Sequence, residues 1–307
     1  MKLAILTVYL VTPDTSRLID LQLEMIGRHT REYTIYAAIN RLQPEFKAKL
    51  NGHPGVKICS IPETDQRGSA ELTYYLEHMA AQAVSEGATH LVTLHVDSFP
   101  VADDWSETIA GRLSAQCVLA APSEHGSPRM PSAGLFFTRE FYLQYRPVFR
   151  IDDAEQESEG MQQFRNKYNV YSWDSGMGYI YRADEAGLDW YPLKRLEKRG
   201  GAAIYEGLLF HLEGGFRYGS PKKQDPSLPD KIIRQCLYAV KYALMPILPK
   251  SIIYNRNSLL RKVLALMNRK MIIDSLYGEE KKDLLADPEK FLQSLEEKQK
   301  RDSWGRS

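Results

Sequence analysis

In the N-terminal part of the chain, continuous apolar runs alternate with segments whose apolar residues recur at helical spacing. Leu3 to Val11 reads as a buried strand, and Asp14 to His29, with Leu18, Leu21, Leu23, Met25 and Ile26, as a helix. Thr34 to Ile39 and Val56 to Ile61 read as further strands, the latter entered through the turn His53-Pro54-Gly55. Leu72, Tyr75, Leu76, Met79, Ala80 and Ala83 predict a helix over Ser69 to Glu86, closed by Gly87. Thr89 to Val96 is an apolar run that predicts a buried strand, tipped by Asp97 and stopped by Pro100. Trp105 to Leu113 is expected to be helical, and Cys117 to Ala121 a short strand. Strand, helix, strand at this rhythm means βαβ units and a mainly parallel sheet with right-handed crossovers.

The pattern then loosens. Gly134 to Thr138 predicts a strand and Arg139 to Tyr145 a helix. Ile151 to Gly160 is acidic with few apolar residues and reads as a mobile loop. Asp174-Ser-Gly opens a segment that ends at Ala186-Gly187, and Leu188 to Leu193 and Ala203 to His211 read as strands. These patterns divide the chain into an α/β domain over 1–220, a linker over 221–230 around Asp225-Pro-Ser-Leu-Pro229, and a basic amphipathic helical extension over 231–307. From Ser227 to Ser275 nine Lys or Arg stand against Asp230 and Asp274, interleaved with Leu and Ile, and Pro246 and Pro249 break the stretch into at least two helices. Glu279 to Arg301 is highly charged and is expected to be a solvated, fraying helix.

Charge is nearly balanced, with 40 basic and 39 acidic residues among 307, so no global field points to nucleic acid. Cys59, Cys117 and Cys236 form neither a CxxC pair nor an even disulfide framework, which fits a reducing compartment. The N-terminal apolar run has no small-residue cleavage site before Pro13-Asp14 and reads as a first strand rather than a signal peptide. No apolar segment approaches the length of a membrane span. A cytoplasmic protein is expected. The basic extension suits peripheral attachment to an anionic inner-membrane face, or simple packing on its own domain.

Candidate chemistry starts at Asp97, because open α/β sheets place ligands at the carboxyl ends of their strands. Further features follow in order: Ser132-Ala-Gly134, then Trp173-Asp174-Ser-Gly176, then Phe210-His211-Leu-Glu-Gly-Gly215. In this order of motifs the chain, over about residues 1–218, resembles the GT-A class of glycosyltransferases, most nearly its family-2-like group. The resemblance implies a GT-A-like α/β fold, a nucleotide-sugar donor, a divalent cation (manganese or magnesium), and transfer to a glycan or lipid-linked acceptor hydroxyl, with inversion by analogy. His95-Val96-Asp97 stands where that group has Asp-x-Asp, so histidine replaces the first acid.

On the resemblance, Asp97 and His211 are metal ligands. Asp97 is a hard oxygen donor, and a cation there would offset the charge of the leaving diphosphate. His95 either ligates the cation or bonds a phosphate, or is a half-buried strand histidine satisfied by hydrogen bonds. Likewise His211 is either a ligand or a buried strand-end histidine. Asp174 is the candidate base that takes the acceptor's proton, or a helix N-cap, or both. The nucleotide is expected over the strand tips at Thr7, Tyr9 and Asn40 and beside Ser69, where a long helix begins. The acid that usually precedes Asn40 in this group is missing. Asp103-Asp104 could rival Asp97 but more naturally caps the next helix, while Trp173, Trp190 and Tyr191 either line an acceptor cleft or fill the core.

Two other functions compete. A sugar nucleotidyltransferase would usually carry a glycine-rich loop, and Thr7 to Thr15 has no glycine. A non-catalytic nucleotide- or sugar-binding protein is favoured by the lost acid at His95. A Rossmann dehydrogenase is disfavoured by the absence of GxGxxG after the first strand.

Overall fold

The computed structural model describes residues 1–10, 16–40, 42–128, 130–170, 173–199, 201–212 and 277–304. The linker, Gly214-Gly215 and the basic stretch Ser227 to Ser275 therefore lie outside the described residues. Strands β1 (Leu3–Tyr9), β2 (Tyr33–Ile39), β3 (Val56–Ile58) and β4 (His90–Thr93) form one parallel block. Every residue of β1 is buried, as expected of a strand covered on both faces. Helices α1 (Arg17–His29) and α2 (Pro44–Asn51) join these strands, as does α3 (Ser69–Ser85). Helix α3 ends as its sequence predicts. Gly87 takes φ +83°, and Ala88 N–H reaches back to the Ala83 carbonyl at 3.0 Å.

Beyond β4 the sheet becomes mixed. The order is β3-β2-β1-β4-β8-β6-β9-β10-β11-β5. Strand β5 is Ser98–Pro100, β6 Cys117–Glu124, β7 Ser127–Pro128, β8 Phe136–Thr138, β9 Asp189–Arg199, β10 Ala202–Tyr205 and β11 Leu209–Leu212. Strand β8 runs antiparallel to both β4 and β6, β6 and β9 are parallel, and β9, β10, β11 and β5 are antiparallel.

Several local expectations are corrected here. Pro100 does not stop the Asp97 strand. The strand ends at Thr93, a turn follows, and Pro100 lies in edge strand β5, where a missing N–H is tolerated. Ala203 to His211 is not one strand but the hairpin β10–β11, turned by Glu206 and Gly207 at positive φ. Ile151 to Gly160 is not a loop. It supplies helix α6 (Asp153–Gln156) and the start of α7 (Glu159–Tyr168), capped by the Asp152 and Ser158 side chains and anchored by buried Ile151, Met161 and Phe164. Caps and a few anchors outweigh the low apolar content there.

Two core layers flank the sheet. One joins β1, α1, β10 and β11, and takes Leu284, Phe291 and Leu295 from helices α9 (Tyr277–Ala286) and α10 (Pro288–Trp304). Phe291 packs edge-on against Phe210 at 6.3 Å, and Glu289 pairs with Arg28. The expected fraying helix is therefore docked, because its sparse apolar residues share one face. The other layer joins α3 with α5 (Arg139–Tyr145), α7 and α8 (Met177–Glu185).

In this second layer, burial pushes the Glu77 carboxyl up to about 7, although it accepts the Phe149 backbone N–H. The native state thus binds a proton more readily than the unfolded chain does. This stabilisation is full below the ordinary carboxylate pKa near 4.5 and is lost as pH rises through about 7. Glu77→Gln keeps an acceptor for Phe149 and removes the titration. It is expected to gain up to about 3 kcal/mol over wild type between pH 5 and pH 8. Urea unfolding of both proteins at the two pH values checks this, and a constant difference would refute it.

Candidate active site

The site forms where the two halves of the sheet meet. After β4 the chain turns sharply, with the Ser98 N–H and Oγ both donating to the His95 carbonyl at 2.9 and 3.0 Å. Buried Gln22 of α1 braces the turn, donating to the carbonyls of His95 (2.6 Å) and Ser98 (2.9 Å). Strand β5 then pairs with β11 in a register that sets His211 opposite Ser98, and the Leu212 N–H donates to the Asp97 carbonyl at 3.0 Å. That pairing carries His211 to Asp97, with Nε2 3.7 Å from Oδ1. The His95 and His211 rings meet edge to face at 5.5 Å.

One ligand atom from each of His95, Asp97 and His211 lies within 4.8 Å of the others. Asp97 and His211 are each 1% exposed. Burial pushes the His95 imidazole down to about 4 and holds His211 well below the ordinary histidine range, with the neighbouring His95 adding to the effect. Both rings are therefore neutral near pH 7, the form that ligates metal. Neither ring nitrogen of His211 has a hydrogen-bond partner among the described residues, an unusual state for a histidine so deeply buried. Two neutral imidazoles and one carboxylate, converging with nitrogen lone pairs to satisfy, fit a divalent cation. Asp103 and Asp104 are not part of this cluster. They pair with His29 and Arg31 on the surface, and Trp105 fills the core with its Nε1–H on Thr30.

Asp174 connects to the cluster through a short chain of hydrogen bonds. His95 Nε2 meets Ser132 Oγ at 3.0 Å, Ser132 N–H donates to the Ser175 carbonyl at 3.1 Å, and Ser175 N–H donates to Asp174 Oδ1 at 2.8 Å. Asp174 is not the side-chain cap of α8. The N-cap is Gly176 at φ +90°, where a Cβ would press on the Ser132 nitrogen at 3.1 Å. The Asp174 carboxylate is half-buried and lines a cavity of about 310 Å³, which Ser69 also lines. Trp173 borders the same cavity, whereas Trp190 is buried in the core.

At the strand tips the placement is different. Thr7 and Tyr9 are wholly buried, and Tyr9 belongs to the α1-side core. Asn40 follows β2, is 3% exposed, and donates to Glu71 Oε1 at 2.6 Å. Glu71 lies in the first turn of α3. No sequence signal joined these two residues, and none singled out Gln22 or Ser175, because each acts through a contact between distant segments.

The fold class is α/β, a mixed sheet flanked by helices. No protein-family model matches the sequence, and no curated protein matches it. Among solved structures, the chain is similar to S. aureus TarS 1-349, at 11% identity and a TM-score of 0.37, and spans about half of that chain, with 55% of each covered. Against TarS 1-349 in complex with UDP-GlcNAc the identity is 8% and the TM-score 0.46, covering 95% of this chain and 88% of that one. Against the mannosyltransferase PcManGT from Pyrobaculum calidifontis in complex with GDP-Man and Mn2+ the identity is 11% and the TM-score 0.43, covering 98% and 87%.

Proposed function

We propose that the protein is a glycosyltransferase that moves a sugar from a nucleotide-activated donor to an acceptor hydroxyl, with inversion. The observation that carries this reading is the buried cluster of His95, Asp97 and His211, tied through Ser132 and Ser175 to Asp174. Asp97, His211 and His95 would hold a divalent cation, manganese in preference to magnesium because two of the three ligands are imidazoles. When bound, such a cation offsets the charge that develops on a departing nucleoside diphosphate. Asp174 accepts the acceptor's proton as its oxygen attacks the anomeric carbon, and the bond to the diphosphate breaks on the opposite face. The Asn40–Glu71 pair at the end of β2 offers hydrogen bonds to the nucleoside, and Ser69 sits at the start of α3. The acceptor is a glycan or a lipid-linked sugar. Among the described residues no helix is long and apolar enough to cross a membrane.

A second reading, a binding protein without turnover, is favoured by one observation: His95 supplies no negative charge where the resembling group has an acid. Thermal unfolding of the full chain with a panel of nucleoside diphosphates and nucleotide sugars, with and without manganese, tests the first step. A binding ligand is expected to raise the transition by mass action, and more so with manganese. Release of nucleoside diphosphate from the stabilising nucleotide sugar then separates the readings. Release is expected of a transferase, while stabilisation without any release would leave only the binding protein. No stabilisation by any nucleotide would sink both.

A further inference from the structure

The cavity that Asp174 lines shares only Ser69 with the residues assigned above to the cation or the nucleotide. Its walls are the start of α3, the segment before α6, and Trp173 to Ser175. Two arginines, Arg67 and Arg150, stand in it, both exposed. Arg67 donates to the carbonyls of Thr64 and Gln66, and neither guanidinium is paired with a carboxylate among the described residues. The N-terminus of α3, seventeen residues long, opens into the same space through Ser69 and Ala70. At the inner end lies Ser175. It is 3% exposed, and its hydroxyl has no hydrogen-bond partner among the described residues. A buried hydroxyl without a partner, on a residue that lines a cavity, is a polar group whose bonding a ligand or water can complete. Trp173 adds an aromatic wall of the kind on which sugar rings stack.

From these features we infer that the cavity binds the acceptor, and that the acceptor is a sugar carrying a carboxylate or phosphate. Two guanidinium groups and a helix N-terminus outweigh the one carboxylate, Asp174, and a planar or tetrahedral anion matches their donors. The anion sits toward Arg67 and Arg150, the sugar ring lies along Trp173, and a ring hydroxyl reaches Asp174 with Ser175 as a second partner. A neutral sugar lacks the group that the arginines hold. The role of Asp174 rests on the transferase reading, but binding of the sugar does not require transfer.

Titration of the full chain with glucuronate, glucose 6-phosphate and glucose, followed by saturation-transfer NMR, tests the site. At least one anionic sugar is expected to bind about tenfold or more tightly than glucose, with affinity falling as salt rises. Glucuronate against glucose 6-phosphate tells a carboxylate from a phosphate preference. Arg67→Ala and Arg150→Ala, both at exposed positions, are expected to remove the anionic preference, and Ser175→Ala to weaken binding of the sugar. Nucleoside diphosphate binding with manganese should be unchanged in the two arginine variants. Equal binding of glucose and the anionic sugars, or a preference indifferent to both arginines, would overturn the proposal. So would a parallel loss of nucleoside diphosphate affinity, which would give the cavity to the donor. If anionic sugars bind through the arginines while no nucleotide binds at all, the anion site stands and the transferase reading falls.

Discussion

Asp97→Ala is expected to abolish the gain in nucleoside diphosphate affinity that manganese confers on the wild-type protein. Asp97 is the one anionic member of a cluster whose other members are neutral imidazoles. Without it the cation meets two neutral nitrogens and no charge compensation. Loss of an outer partner of a metal ligand commonly costs about 10–100-fold in metal affinity, so loss of the charged ligand itself should cost at least about a hundredfold. The substitution is compatible with folding, since the bond that joins the turn to β11 uses the Asp97 backbone carbonyl and survives. His211→Ala should act in the same direction and less severely, because it removes a neutral ligand. Calorimetric titration of nucleoside diphosphate with and without manganese measures both. Undiminished manganese dependence in folded Asp97→Ala would remove Asp97 as the anchor.

Asp174→Asn separates chemistry from binding. The amide oxygen still accepts the Ser175 N–H, so the loop and its link to Ser132 are retained. The amide cannot take a proton. Transfer is therefore expected to fall by about 10²–10⁴-fold, the usual worth of a general base, while nucleoside diphosphate binding with manganese stays near wild type. Single-turnover transfer beside equilibrium binding reads the two effects independently. Transfer at wild-type rate in this variant would mean that Asp174 only holds the loop.

The sequence reached the elements that are locally encoded. The all-apolar run of β1, the helical spacing in α3 with its closing Gly87, and an acid just past β4 all follow from side-chain period and turn chemistry. It failed where a few anchors stand among many polar residues. Met161 and Phe164 are enough to seat α7 once caps fix its start, and Phe291 and Leu295 are enough to dock α10. It also failed at the turn Glu206-Gly207, which hides inside a continuous apolar stretch.

By itself, then, the sequence determined which segments are strands and helices over most of the N-terminal half, and that Asp97, Asp174 and His211 were the residues to examine. Only the tertiary structure decided which of them meet. The pairing of β5 with β11 brings His211 to Asp97, Ser132 links His95 to the Asp174 loop, and α3 presents Glu71 to Asn40. Periodicity records how a residue sits on its own strand or helix. It carries no record of which distant backbone will complete the hydrogen bonds of that strand, and here those long-range registers build the site.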